Sequence, residues 1–154
     1  MAVDRQGLGL VLLRICIGVF FLFAGLSKLR WFADPSILAG QLAGWAQAVA
    51  PDSISARYLA RVAIPYTAVF ARLVPLGEIS AGLAMLLGLW TPVFAFIAFF
   101  MALNFHVASG AIFRYSFLNN GFGPPVLGAT LALIVGGTRL PWSVTGSRKT
   151  KTKN

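Results

Sequence analysis

Four apolar runs, each bounded by polar or turn-forming residues, set the plan of the chain. The first occupies residues 8–26 and is interrupted only by Arg14. At about 1.5 Å per helical residue, such a run crosses a hydrocarbon layer of about 30 Å. It is longer than the apolar centre of a cleaved leader, so a retained helix over 8–28 is expected. The next two runs predict helices over 67–89 and 92–109. The tight connection from Gly88 to Pro92 makes them an antiparallel hairpin. A turn-rich stretch, 119–125, delivers Pro125 to the fourth and shortest helix, expected over 121–138. The predicted fold is all-α, an integral membrane four-helix transmembrane bundle forming one domain over 1–154.

The long first connection, 32–64, has a different pattern. Ile37, Leu38, Leu42, Trp45 and Val49 recur at helical spacing, with Gln41 and Gln47 elsewhere. Ser53 or Ser55 can cap a second short helix that carries Arg57 and Arg61 one turn apart. Two short amphipathic helices at the membrane surface are one reading, with Trp31, Phe32 and Trp45 at headgroup level. A re-entrant or bundle-capping segment is the other. On the first reading, Trp31, Trp45, Arg57 and Arg61 meet lipid or a partner.

Composition narrows the solvent. The chain is 58% hydrophobic and 11% charged, against about 45–50% and about 25% in soluble domains. So little charge cannot cover a water-facing surface, and the bilayer is the expected partner. A net charge of +9 would suggest nucleic acid in a soluble protein. Here the cations lie between helices and in a basic tail, 146–154, where Arg148, Lys149, Lys151 and Lys153 suit anionic lipid headgroups. No nucleic-acid partner is expected. An even number of spans puts both termini on one side, and the dense tail places that side in the cytoplasm.

Several chemistries are excluded by count. The lone Cys16 allows no disulfide or dithiol couple, and it is expected as a small buried apolar residue. A single histidine, His106, excludes a multi-histidine metal or haem site. No metal and no covalently held cofactor is predicted. Phosphate-binding glycine loops, zinc-protease helices and nucleophile elbows are all missing from the sequence.

What remains is a set of polar groups inside the apolar runs, each costly enough to need a partner or a purpose. Counting rise from the terminal side puts Arg14 at roughly 9 Å, Glu78 at roughly 16 Å, Asn104 at roughly 18 Å and His106 at roughly 21 Å. Arg14, Gly18, Phe21, Gly25 and Lys28 share one helical face, and Gly77, Ala81, Ala84 and Gly88 form a small-residue stripe to receive it. An Arg14–Glu78 ion pair fixing helix register is therefore expected. The alternative is a polar site for a proton, a quinone or a small anion. Pro75 removes one backbone bond next to Glu78. Asn104 and His106, about 200° apart around their helix, cannot face one point.

Two stretches carry a family resemblance. One is Leu13-Arg14, Gly18, and Phe21 through Leu29 (FLFAGLSKL); the other is Gly77 through Pro92 (GEISAGLAMLLGLWTP). In these the chain resembles the DoxX family of small four-helix bacterial membrane proteins. That resemblance implies a multi-pass protein of the bacterial inner membrane, acting as a subunit of a quinone-linked or other electron-transfer complex. Relatives include the membrane subunit of a thiosulfate:quinone oxidoreductase. It also implies functional weight on Arg14, Lys28 and Glu78. Other redox subunits would be partners, and the chain would not be catalytic alone. Apart from the resemblance, Asn104 and His106 are each candidates for a quinone-carbonyl donor or a bond to a neighbouring helix, and Lys28 joins them as a candidate polar contact. The competing expectations are a purely structural assembly subunit and a small-solute or proton transporter.

Overall fold

The computed structural model describes residues 5–145, so the basic tail with Arg148, Lys149, Lys151 and Lys153 lies outside the described residues. Four helices form an up-and-down bundle: α1 (Arg5–Ser27), α5 (Thr67–Leu87), α6 (Thr91–Ala108) and α7 (Pro124–Gly136). Between α1 and α5 lie α2 (Arg30–Ala33), α3 (Ser36–Ala48), α4 (Ile54–Tyr58) and a π-helical turn, Leu59–Ala63. No strand occurs among the described residues. α1 packs on α5 and α7, and α6 packs on the same two.

Three helical stretches are long and apolar enough to cross a membrane: Arg5–Ala33, Thr67–Leu87 and Thr91–Ala108. The fourth expected span, 121–138, comes out shorter. α7 has 13 residues, about 20 Å of helix. Pro124 and Pro125 start it, because neither can donate a backbone bond further into a helix. Gly88, left-handed at φ +68°, ends α5, and Pro92 opens α6. The resulting turn is as tight as the spacing predicts.

The α1–α5 seam explains the register. A Cβ on Gly18 would lie 3.0 Å from Leu86 Cγ and 3.1 Å from the Gly82 carbonyl oxygen, and one on Gly25 would lie 2.8 Å from the Ile79 nitrogen. A Cβ on Gly82 would lie 2.7 Å from Leu22 Cα. Three glycines thus let two backbones touch. The expected stripe is corrected accordingly: Gly82 faces α1, whereas Gly77 faces Met101 of α6. Most outward-facing side chains are apolar, as in Leu12, Val19 and Phe23 of α1 and Leu73 and Leu76 of α5, with Arg72 and Ser80 of α5 as polar exceptions. Cys16 is also on that outer face and not buried.

The first connection caps the far end of the bundle. Trp31, Leu38, Leu42 and Leu59 form a core with Ala71, Val74 and Ala108. Trp31, at 6% exposure, is therefore a core residue, not a headgroup or partner contact. Ser53 caps α4 by accepting from the Ala56 N–H at 3.1 Å. The buried Ser55 instead donates to the Val107 carbonyl at 2.6 Å, tying α4 to α6.

Candidate functional site

Close approach at Gly25 creates the first element of the site. A Cβ there would lie 3.0 Å from Glu78 Cβ, so the carboxylate sits against the end of α1. One turn on, Lys28 reaches it. Its Nζ donates to Glu78 Oε1 at 2.8 Å and Oε2 at 2.6 Å, and to the Ala24 carbonyl at 3.1 Å. The two side chains are 19% and 6% exposed. A carboxylate taken out of water at this depth stays charged only with a cation in contact. The ammonium also stands 5.5 Å from the Phe105 ring and 5.9 Å from the Trp31 ring, where aromatic faces favour positive charge.

This pair lines a cavity of about 780 Å³, within the range of small-molecule sites, about 300–1,000 Å³. Ser27 at the end of α1, Gln41 of α3 and His106 of α6 join Lys28 and Glu78 as its polar lining. Phe20, Phe21, Phe23, Phe105 and Phe122 line it with Val19, Ala24, Ala102 and Val126. His106 Nε2 lies 2.8 Å from the Phe122 carbonyl oxygen. A carbonyl only accepts, so Nε2 carries the proton, and in the neutral ring Nδ1 is left as an acceptor. Phe117 meets the imidazole edge-on at 5.0 Å. Since Glu78 already balances Lys28, the lining suits a neutral, flat molecule with hydrogen-bonding groups better than an anion.

Arg14 does not meet Glu78. Gly25 lies beside Glu78, and Arg14 is eleven residues earlier, about 16 Å along the helix. Its guanidinium instead turns to the terminal end of the bundle. There Nη1 donates to Ser143 Oγ, and Nη2 donates to the Trp142 carbonyl at 3.1 Å. Gly88 makes room, because a Cβ there would run into Arg14 Nη1. The segment 141–145 is fastened to the α5–α6 turn by three more bonds. Val144 N–H donates to the Leu87 carbonyl at 3.3 Å, Thr145 Oγ1 donates to the Gly88 carbonyl at 3.0 Å, and Trp90 N–H donates to Thr145 Oγ1 at 3.1 Å. Arg14 is 2% exposed, and its Nε has no partner among the described residues.

Asn104 is on the other face of α6 from His106, away from the cavity. Its Oδ1 accepts from the Tyr58 hydroxyl at 2.5 Å, latching α4 onto α6. Burial holds the Tyr58 phenol above its ordinary value. Trp45 is half-buried and edge-on to Phe105 at 5.8 Å. Arg57 and Arg61 are exposed on the far end, with Arg57 donating to the Asp52 carbonyl.

Of the predicted residues, then, Lys28, Glu78 and His106 share one cavity; Arg14 and Asn104 lie elsewhere. Gln41, Phe20 and Phe122 were not anticipated as site residues. Gln41 stands out as a polar residue next to Leu42 in an apolar-periodic helix, but only the docking of α3 says what it faces.

The DoxX family model matches residues 9–110, a stretch that contains Arg14, Lys28, Gln41, Glu78 and His106. No curated protein matches the chain, and no solved structure does. The family match covers well over half of the sequence and joins helices of membrane-crossing length, so the chain belongs to the DoxX family and is a multi-pass membrane protein.

Proposed function

We propose that this protein is a membrane subunit of a quinone-linked electron-transfer complex, and that the cavity beside Lys28 and Glu78 holds the quinone head. The observation that carries the reading is the meeting of that ion pair with His106 and Gln41 in one aromatic-walled cavity. Its volume and its neutral, mixed polar and aromatic lining fit a ring of that kind. A bound quinone would take up electrons from a cofactor-bearing partner, together with protons.

The chain's own residues have separable parts in this. The Gln41 amide can donate to a carbonyl oxygen of the quinone, and His106 Nδ1 can accept a hydrogen bond from the ring hydroxyl that reduction would leave. Glu78 holds the Lys28 ammonium at the cavity wall, and the phenylalanines exclude water. In this reading all four bundle helices span a bacterial inner membrane, with α7 extended by the turn Gly137–Arg139 and the termini cytoplasmic. The exposed Arg57 and Arg61 face the partner or lipid.

Isolation in mild detergent tests it. A cofactor-bearing partner and an extractable quinone should come with the chain; a chain that runs alone without quinone contradicts the proposal. One observation favours a second reading, a structural assembly subunit: Lys28 and Glu78 already satisfy each other. Glu78→Gln separates the two. Lost turnover in normally assembled complexes supports the redox site, whereas impaired assembly with unchanged turnover per complex supports the scaffold.

A further inference from the structure

The cavity has a direction. Its polar residues gather toward one end, whereas Val19 and Phe20 lie nine and eight residues before Lys28 on α1. That offset is about 12–14 Å along α1 toward its start. The apolar part of the cavity therefore runs along α1 from the polar end into the hydrocarbon layer.

The cavity also has a mouth. Val19 and Phe23 line it, yet they are 42% and 64% exposed. They belong to the outward stripe of α1 that includes Leu12, Ile15 and Leu26. At this depth outward means lipid. Beside them stands Phe122, 64% exposed, in the loop that precedes α7; its ring packs on Phe20 of α1 at 5.8 Å and forms one rim of the mouth. The cause is the length of α7: a helix of 13 residues cannot line the full height of α1, and the wall above its start is left to that loop.

We infer that the cavity opens sideways to the bilayer between α1 and the start of α7, and admits a tailed, lipid-soluble ligand. Its head seats against Gln41 and His106, and its tail leaves past Val19 and Phe23. This rests on the reading of the cavity as a quinone-type site, but adds the route and the requirement for a tail. Ser27 and Gln41, both exposed lining residues, leave the polar end open as well, so the lateral mouth is the route for the tail and not the sole entrance.

Two probes test it, a benzoquinone with a decyl tail and the same ring without one. Their binding to nanodisc-embedded protein is measured at matched concentrations in the lipid. The tailed probe should bind more tightly. Val19→Trp should weaken it about tenfold, the equivalent of about two methylenes' worth of buried contact, and leave the tailless ring within about twofold of its original affinity. Leu12→Trp, on the same lipid-facing stripe but away from the cavity, should change neither. Val19→Phe is a smaller plug that repeats the test if the tryptophan variant fails to insert. Equal binding of both probes, unaffected by either plug, overturns the lateral mouth and leaves the site standing. Failure of both probes to bind overturns the site reading itself, and the mouth with it.

Discussion

The two ends of the α1–α5 seam each bury a cation, and they treat it differently. At the terminal end Arg14 is enclosed by Ser143, the Trp142 carbonyl and the space left by Gly88. Its hydrogen-bond partners among the described residues are neutral, and they belong to a segment that it fastens down. At the far end Lys28 is held by a carboxylate, and the pair borders a cavity of about 780 Å³. One charge is used up in closing the structure. The other is balanced and left at the edge of a space that a ligand can enter. Charge in a membrane interior is therefore a poor guide to function until its partners are known.

The largest effect should come from unbalancing the far end. Glu78→Gln leaves the Lys28 ammonium without its anion and should cost about 3–5 kcal/mol, read as a lower unfolding midpoint in mild detergent. Adding Lys28→Met should recover most of that loss. If the single variant were as stable as the parent, the pair would not be the seam's balanced charge.

A mutation midway along the seam removes the close approach that both ends depend on. Gly82→Ala would push a methyl against the Leu22 backbone and should cost about 3 kcal/mol, the upper end for an over-packed contact. The same substitution at the outward-facing Gly9, where nothing lies within 4 Å, should be tolerated.

At the terminal end the loss should be smaller. Ser143→Ala removes one charge-assisted bond from Arg14 and should cost about 2 kcal/mol. Protease should then release the segment after α7 more readily, with ligand binding at the far end unchanged. A simultaneous loss of binding would mean that the two ends are coupled.

Tyr58→Phe should cost least, about 1 kcal/mol for the bond to Asn104. It also has a pH signature. Because burial raises the phenol in the folded chain, its contribution is complete below the ordinary phenol value and is lost as pH climbs through the raised one. The phenylalanine variant should lack that alkaline loss, which parallel melts across alkaline pH would detect.

The contrast between the ends also shows what the sequence could reveal. Apolar runs marked α1, α5 and α6, because a membrane-crossing helix must satisfy its own backbone and face lipid with carbon. The Gly88–Pro92 turn was equally plain. Pairing was not, since it depends on the register between two helices. Depth counting set Arg14 opposite Glu78, but contact at Gly25 and Gly82 slides the helices so that Lys28 arrives there instead. The signal for Lys28 was present in its position one turn after Gly25 on the same face. Nothing local to Arg14 pointed to Ser143, 129 residues away. Trp31 looked like a headgroup anchor because its neighbours are polar, and it became core only when α3 folded back over it. His106 and Asn104 were correctly set on opposite faces by helical geometry alone, although which face held the cavity depended on the docking of α1 and α7.

That opposition gives the most direct test of the central claim, that the Lys28–Glu78 end is a ligand site and not merely a buried ion pair. The measurement is the affinity of the decyl-tailed benzoquinone for His106→Phe and Asn104→Leu, side by side in nanodiscs. The account predicts that the histidine variant binds at least about tenfold more weakly, the loss of one well-placed polar contact, while the asparagine variant matches the parent. Equal affinity in all three proteins, or a loss confined to Asn104→Leu, would contradict it.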